Sequence, residues 1–316
     1  IGGATATWSN ADNTDQGSPL GMHSGLTFKG SGELDNGTTF TLTITGADQA
    51  AYSSGSIAMT IPSVGTIKIN QASGGTGLDR FDDMMPTAWE ETNGTSLGTG
   101  LQTVAGSGTS MNLEWDIDSG YLPEGLAIQF ATAPGVGSGV VNDKAVAGDL
   151  GGVGSGFDVT VAYSGATEGL NLFAGISSIE QDNSVASGKS EDREQYAAGA
   201  TYAMGGFTVG YQVSMDDFSA KGTSAATQYY DNTAYGVSFA INDNLSVSYG
   251  RHDSERGIVS AGAVAPITLE AESVQLSYTM GGMSVKVAAS SVDNASYTSG
   301  TANDKDGSTI ALTLAF

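Results

Sequence analysis

The sequence predicts an all-β protein, folded as a 16-stranded antiparallel transmembrane β-barrel, and three observations support this fold class. Apolar and polar residues alternate along many short segments, which is the period of a β-strand with two different faces. Tight-turn connections alternate with long ones, as in barrels that have short turns at one end and long loops at the other. No segment shows the 3.6-residue apolar period of a helix over a useful length. Gly is abundant, with 46 residues.

A hairpin near the start of the chain shows the pattern most clearly. In the segment 26–34 apolar or small residues hold the even positions, whereas polar ones, including Lys29 and Glu33, hold the odd positions. The Asp-Asn-Gly sequence at 35–37 follows, and Asn and Gly tolerate the positive φ that tight hairpin turns need. Alternation then resumes over 39–45. Two antiparallel strands joined by a tight turn are therefore expected here.

The same reading along the whole chain gives sixteen strands. They are predicted at 3–9, 25–34, 38–45, 55–61, 66–71, 110–117, 126–132, 157–164, 170–180, 192–204, 207–217, 230–241, 245–251, 268–279, 283–292 and 308–316. Long connections are predicted at 10–24, 72–109, 133–156, 181–191, 218–229, 254–267 and 293–307. An even strand number places both termini on one side, which is the periplasmic side in such barrels. We expect residues 1–316 to form one domain.

Composition limits the possible functions. The chain has 316 residues, no Cys, and 34 acidic against 11 basic residues, for a net charge of −23. Without Cys there is no disulfide framework and no thiolate metal site. The acidic excess argues against nucleic-acid partners and favours cations near the protein. No apolar run reaches the roughly 18 residues of a spanning helix, whereas a spanning strand needs only about 9–11 residues, every second one apolar.

Alternation alone also occurs in soluble β-sandwiches, in which one face of each strand packs on a dry core. Here the polar face consists mainly of Thr, Ser, Gly, Gln and Asn, as a water-filled lumen requires. A sheet of this many strands would also expose open edges unless it closed, and closure is obligatory in lipid. A soluble or surface-attached β-rich binding or structural protein remains the alternative from another class.

Three stretches together make the chain resemble the trimeric general porins of Gram-negative bacteria. The last strand, 308–316, alternates to a terminal Phe316, as the barrel-insertion signal of that family does. The stretch 29–37 is similar to the second strand and first turn of alphaproteobacterial porins. The connection 72–109 corresponds to the loop that folds inward and narrows the pore. The resemblance implies an outer-membrane homotrimer through which small hydrophilic solutes and ions diffuse; a substrate-selective channel is the nearest alternative.

The candidate functional residues follow from this architecture, because a pore selects by its width and by the charges on its wall. The predicted constriction carries five acidic residues: Asp79, Asp82, Asp83, Glu90 and Glu91. Alternation directs a second set of charged side chains into the lumen as pore wall: Lys29, Glu33, Lys68, Glu114, Asp116, Asp158 and Lys286. The shortage of Lys and Arg predicts a preference for cations.

The remaining expectations concern ligands and chemistry. No cofactor is required, but the resemblance implies bound Ca²⁺, for which Asp79, Asp82 and Asp83 are the predicted ligands. Expected partners are membrane lipid and lipopolysaccharide, further copies of the chain, and small solutes and cations. An enzyme is not expected, since neighbours on a strand such as His252, Asp253 and Ser254 point to opposite faces and do not form a triad.

Overall fold

The structure is a computed structural model that describes residues 3–11, 20–48, 52–94, 97–108, 110–136, 154–181, 188–222, 226–260 and 264–315. Within these residues all strands belong to one antiparallel sheet of 17 strands. The strands are β1 (Gly3–Ala11), β2 (Leu20–His23), β3 (Leu26–Glu33), β4 (Thr39–Gly46), β5 (Tyr52–Ile61), β6 (Gly65–Gln71), β7 (Asn112–Ile117), β8 (Leu126–Ala133), β9 (Gly156–Tyr163), β10 (Leu170–Ile179), β11 (Arg193–Met204), β12 (Phe207–Asp217), β13 (Ala226–Asn242), β14 (Leu245–Val259), β15 (Ile267–Met280), β16 (Met283–Asp293) and β17 (Lys305–Ala315). The all-β antiparallel prediction is confirmed.

The two faces of the sheet have opposite character. Apolar side chains at alternate positions are exposed: Leu26 is 40%, Phe28 64%, Leu42 41% and Leu312 37% accessible. We call this side the apolar face. The other side, the polar face, carries buried polar groups: Glu114, Asp158, Gln195, Gln212 and Gln275. A soluble sandwich would bury the apolar side chains and expose the polar ones. The burial pattern therefore fits the predicted transmembrane barrel better than a soluble sandwich.

Tight turns connect the strands where Gly and Asn were predicted to allow them. In the turn between β3 and β4, the Gly37 amide donates to the Leu34 carbonyl at 2.9 Å, and the Asn36 side chain accepts from the Thr38 amide at 3.0 Å. Gly37 has φ +80°, which favours a residue without a Cβ atom. Phe316, a part of the family resemblance, lies outside the described residues.

The predicted strand bounds differ from the structure by up to four residues in several strands, and by more in two places. β2 lies inside the predicted connection 10–24, and β14 continues to Val259 rather than ending near residue 251. In β14 the side chains beyond Tyr249 on the apolar face are charged: Arg251 forms ion pairs with Asp253, Glu270 and Glu272. Apolar alternation stops at this level, but backbone pairing with β13 and β15 continues. Hydropathy therefore marks the end of the apolar belt, not the end of the strand.

The first strand has two partners. β1 pairs with β17 from Gly3 to Ala11, and its residues Gly3–Ala6 pair with β2. Only Ser24 and Gly25 separate β2 from β3, which pairs with β4. None of the helical segments within the described residues is long and apolar enough to cross a membrane.

Candidate functional site

The segment between β6 and β7, residues 72–111, lies against the polar face of the sheet, and we call it the long loop. It corresponds to the predicted connection 72–109, although residues 95, 96 and 109 are outside the described set. It contains a short 3-10 helix at Gly77–Phe81. Its backbone is bound by side chains from strands that are far apart in the sequence, so its path depends on the folded sheet.

Two buried carboxylates hold the beginning and the end of the long loop. Asp158 of β9 is 0% accessible and accepts from the backbone amides of Leu78 at 2.8 Å and Ser107 at 3.0 Å. Glu114 of β7 is 1% accessible and accepts from the Gly77 amide at 2.8 Å and from Arg80. Charged acceptors make hydrogen bonds about twice as strong as neutral ones, and a dry environment strengthens them further. These two side chains therefore fasten the loop to β7 and β9.

Two glycines let the loop backbone reach Asp158. Gly77 has φ +52° and Gly106 has φ +56°. A Cβ atom at Gly77 would lie 2.2 Å from Asp158 Oδ2, and one at Gly106 would lie 2.5 Å from the same atom. Both the positive φ and the close approach require glycine at these positions.

Three glutamines of the polar face hold the loop through its backbone, two in its middle and one near its end. Gln195 of β11 accepts from the Gly106 amide at 2.6 Å, and Gln212 of β12 accepts from the Met84 amide at 3.0 Å. Gln212 also donates to the Phe81 carbonyl at 2.7 Å. Gln275 of β15 accepts from the Trp89 amide at 3.0 Å and donates to the Glu90 carbonyl at 2.9 Å. Each glutamine is 2% accessible, so the loop covers the wall at these points.

The far part of the loop is held by the last connection and by β17. The Gln102 amide donates to the Tyr297 hydroxyl at 2.9 Å, and the Ser296 amide donates to the Thr99 carbonyl at 2.7 Å. Lys305 Nζ donates to the Leu97 carbonyl at 3.1 Å. Leu97 also packs in a buried apolar cluster with Leu269, Ala271, Val292, Ala295 and Tyr297. The loop thus spans the polar face from β7 to β17.

The predicted acidic residues of the loop lie close enough together to repel one another. Burial raises the pKa of Asp82 to about 6, with further contributions from the charges of Asp79 and Glu91. Burial also raises the pKa of Asp83 to about 6, and repulsion by Asp82 adds to this shift. The pKa values of Asp79 and Glu91 are raised for the same reasons, burial first. Glu90 and Glu91 are more accessible than the three aspartates, which are half-buried, so the pKa of Glu91 is raised by only partial burial.

The fold of the chain is similar to that of several solved structures. The fold matches a loop-deletion mutant of OmpT, an outer membrane protein of Vibrio cholerae, with a TM-score of 0.70, 10% identity, and coverage of 99% of this chain and 97% of that one. It matches OmpF of Salmonella typhi in complex with daunomycin with a TM-score of 0.68, 14% identity, and 100% and 97% coverage. It also matches a mutant of the Rh. blastica porin with a TM-score of 0.59, 14% identity, and 100% and 98% coverage.

The chain has a porin-like fold. No family model matches the sequence, and no curated protein matches it either. At identities this low the likeness is one of fold.

Within this porin-like fold two predicted wall acids lie beneath the long loop. Glu114 and Asp158 point to the polar face, but the loop covers both, so neither carboxylate is open to solvent; that they contribute to a pore wall stays a prediction. Alternation gives the face of a side chain but not what packs over it. Phe173, another side chain of this face, is likewise 4% accessible and packs on Phe81 with ring centroids 5.0 Å apart.

The predicted basic residues of the wall differ in their surroundings. Lys68 of β6 forms ion pairs with Glu114 at 3.1 Å and with Asp116, so much of its charge is already compensated. Lys286 of β16 lies 5.9 Å from the centroid of the Trp89 ring in the loop. Lys29 and Glu33 of β3 are exposed, and Lys29 pairs in register with Thr43. Within the described part of the chain, Lys68 is therefore the one of these three lysines whose charge is compensated by ion pairs, whereas Lys29 and Lys286 form none.

Two further predictions concern a Ca²⁺ site in the long loop and the absence of a catalytic triad around His252. Among the described residues no three His, Asp or Glu side chains form a group suited to a metal ion. Ca²⁺ binding by Asp79, Asp82 and Asp83 stays a prediction. The His252 stretch has no triad geometry: Asp253 accepts from Arg251 at 2.8 Å, whereas the Ser254 hydroxyl lies 2.7 Å from that of Tyr297. That the chain is not an enzyme also stays a prediction.

Sequence reasoning missed the three glutamines. Each occupies a polar-face position of a strand that is otherwise rich in small residues, as in the run Gly210, Gln212, Ser214 of β12. A long side chain with both a donor and an acceptor, placed among small residues on a lumen face, was the available signal. Such a side chain indicates a position on the polar face that can bind the backbone of a loop rather than water.

Proposed function

We propose that the chain is an outer-membrane diffusion channel that passes small hydrophilic solutes and ions and prefers cations. One observation carries the proposal: the sheet exposes its apolar face and places a long, multiply anchored loop on its polar face. Lipid is the solvent that favours an exposed apolar face, and a polar interior favours water. The porin-like fold supports the same conclusion.

A closed barrel of sixteen strands, forming one domain over 1–316, is the architecture we propose for this channel. The pairing of β1 with both β17 and β2 supports it, because β2 continues into β3 after two residues. Counting β2 and β3 as one bent strand turns 17 segments into sixteen and returns the pairing to its start. Both termini would then lie on the periplasmic side, and the long loop would narrow the lumen.

Cation preference follows in this proposal from the charges at the narrowest point. The acidic residues Asp79, Asp82, Asp83, Glu90 and Glu91 belong to the loop, whereas Glu114 and Lys68 are compensated beneath it or beside it. Asp116 is paired with Lys68, so Lys29 and Glu33 of β3, with Lys286 of β16, are the wall charges left to oppose or reinforce the acids. Fixed carboxylates raise the local concentration of cations and lower that of anions.

Planar bilayer recording under a salt gradient tests the proposal. We expect discrete conductance steps and a reversal potential on the cation side. The double variant Asp82→Asn/Asp83→Asn should shift the reversal potential toward zero, and Asp118→Asn, in a turn away from the loop, is the matched control. Absence of channels from folded protein would contradict the proposed function, and an anion-side potential would contradict the charge assignment.

Selectivity should also depend on pH. Asp82 and Asp83 have pKa values raised to about 6, so both lose their negative charge as the pH falls through that value. Cation preference is therefore expected to be full at about pH 8 and clearly reduced at about pH 5, where carboxylates of ordinary pKa are still largely charged. The Asp82→Asn/Asp83→Asn variant should show a smaller change over the same range. An unchanged wild-type potential between these pH values would contradict the prediction.

The partners proposed for the channel are membrane lipid, lipopolysaccharide and two further copies of the chain. The exposed apolar face supports both, since Phe28, Leu42 and Ile57 of β3–β5 are at least 40% accessible. Lipid or another barrel would cover such a surface. Conductance steps that occur in groups of three would support the trimer.

A further inference from the structure

A row of glycines crosses three neighbouring strands of the polar face. Gly210 of β12 pairs in register with Gly236 of β13, and Gly236 pairs with Gly250 of β14. The next position of the row is Ser273 of β15. Side chains in register on one face lie about 4.5–5.5 Å apart, so glycines in register leave a shallow trough in the wall.

The middle of the long loop lies in this trough. A Cβ atom on Gly210 would come within 2.6 Å of Pro86 Cδ, and one on Gly236 within 3.2 Å of the Pro86 carbonyl oxygen. A Cβ atom on Gly250 would lie 2.2 Å from Thr92 Oγ1. None of the three glycines needs its freedom for a positive φ, since none has one. Their common property is the absence of a side chain where the loop passes.

Hydrogen bonds hold the loop on both sides of the contact with the row. Before it, Gln212 binds the Met84 amide. Beyond Pro86, the Ala88 amide donates to the Ser248 hydroxyl at 2.8 Å, and Gln275 binds Trp89 and Glu90. Because these anchors hold Met84 and residues 88–90, an added side chain beneath Pro86 displaces the loop away from the wall, and one beneath Thr92 displaces that buried side chain. In a channel, such a movement is directed toward the opposite wall.

We propose that the row Gly210, Gly236 and Gly250 sets the distance between the long loop and the wall, and thereby the free width of the channel. The inference rests on the proposed function and adds the residues that determine pore size. The acidic residues fix the sign of the preferred ion, whereas this row determines how much space the loop leaves for it.

A graded series at one position tests the proposal. Gly236→Ala and Gly236→Val should lower the single-channel conductance in that order, by tens of per cent for Val, since pore size limits ion flow. Gly21→Ala of β2 is the matched control, because a Cβ atom there meets nothing within 4 Å. Gly210→Ala is the second site if the valine variant does not fold. Conductance that is unchanged, or that rises because the loop detaches, would overturn the inference.

A compensating pair gives a sharper test at Gly250. Gly250→Ala alone should lower the conductance, because its Cβ atom meets Thr92 Oγ1. The double variant Gly250→Ala/Thr92→Ala should recover most of it, since the next atom, Thr92 Cβ, is 3.4 Å away. Additive losses in this double-mutant cycle would overturn the inference. If the wild type forms no channels, the proposed function itself fails. If the wild type conducts and the glycine variants have the same conductance, only the role of the row is refuted.

Discussion

Replacing Asp158 with Ala is expected to release the long loop from β9 and to raise the single-channel conductance. The carboxylate accepts from the amides of Leu78 and Ser107, and both loop segments are buried against it. Each amide left without an acceptor costs about 1–3 kcal/mol, so the docked state should lose roughly 2–6 kcal/mol relative to an open one. Bilayer recordings should show larger and noisier steps, and limited proteolysis should cut within the loop.

Two comparisons make this prediction specific. Asp158→Asn keeps one acceptor oxygen, so its effect should be smaller than that of Asp158→Ala. Asp118→Ala removes a carboxylate that caps the short helix after β7, and it should leave the conductance unchanged. If Asp158→Ala conducts like the wild type and resists protease equally, the loop does not depend on β9 for its position.

The second large effect concerns the apolar face. Val209 of β12 is 47% accessible and lies between Phe207 and Tyr211 on this face. Val209→Arg should lower the free energy of unfolding of the protein in lipid vesicles by about 2–4 kcal/mol if the position lies near the bilayer midplane, and by less toward the interface. In a soluble protein the same substitution at an exposed position would cost almost nothing. Urea titration of vesicle-folded protein measures the difference.

Thr208→Arg provides the control on the adjacent residue. Thr208 points to the opposite face of β12, where water would solvate the charge. Its variant should therefore fold with nearly wild-type free energy and shift the reversal potential toward anions. Equal losses for Val209→Arg and Thr208→Arg would mean that the two faces do not have different solvents.

Much of the sheet was predictable because successive side chains of a β-strand point to opposite faces, so two faces of different polarity appear in the sequence as an alternation. Lys68 and Glu114 were assigned to one face by alternation alone, and they are paired in register with an ion pair between them. The predicted strand end was wrong where the apolar positions become charged, as beyond Tyr249 in β14. There the strand continues because its neighbours supply backbone hydrogen bonds, and this support is absent from any local pattern.

The loop shows the opposite situation. Its length and its acids were visible in the sequence, but its anchors come from Glu114, Asp158, Gln195, Gln212 and Gln275, which lie on five different strands. Whether a polar side chain on the lumen face meets water or loop backbone depends on how the strands curve around the loop. Alternation therefore placed Glu114 on the polar face but could not show that the loop would cover it.

By itself the sequence determined the all-β class, most of the strands, the two faces and the acidic character of the long loop, because these properties repeat over two residues or depend only on composition. The tertiary structure decided which wall side chains hold the loop, which carboxylates are buried, and where glycines leave room for it. Those properties arise from contacts between residues up to about two hundred positions apart, as between Trp89 and Gln275, and only the folded sheet brings such residues together.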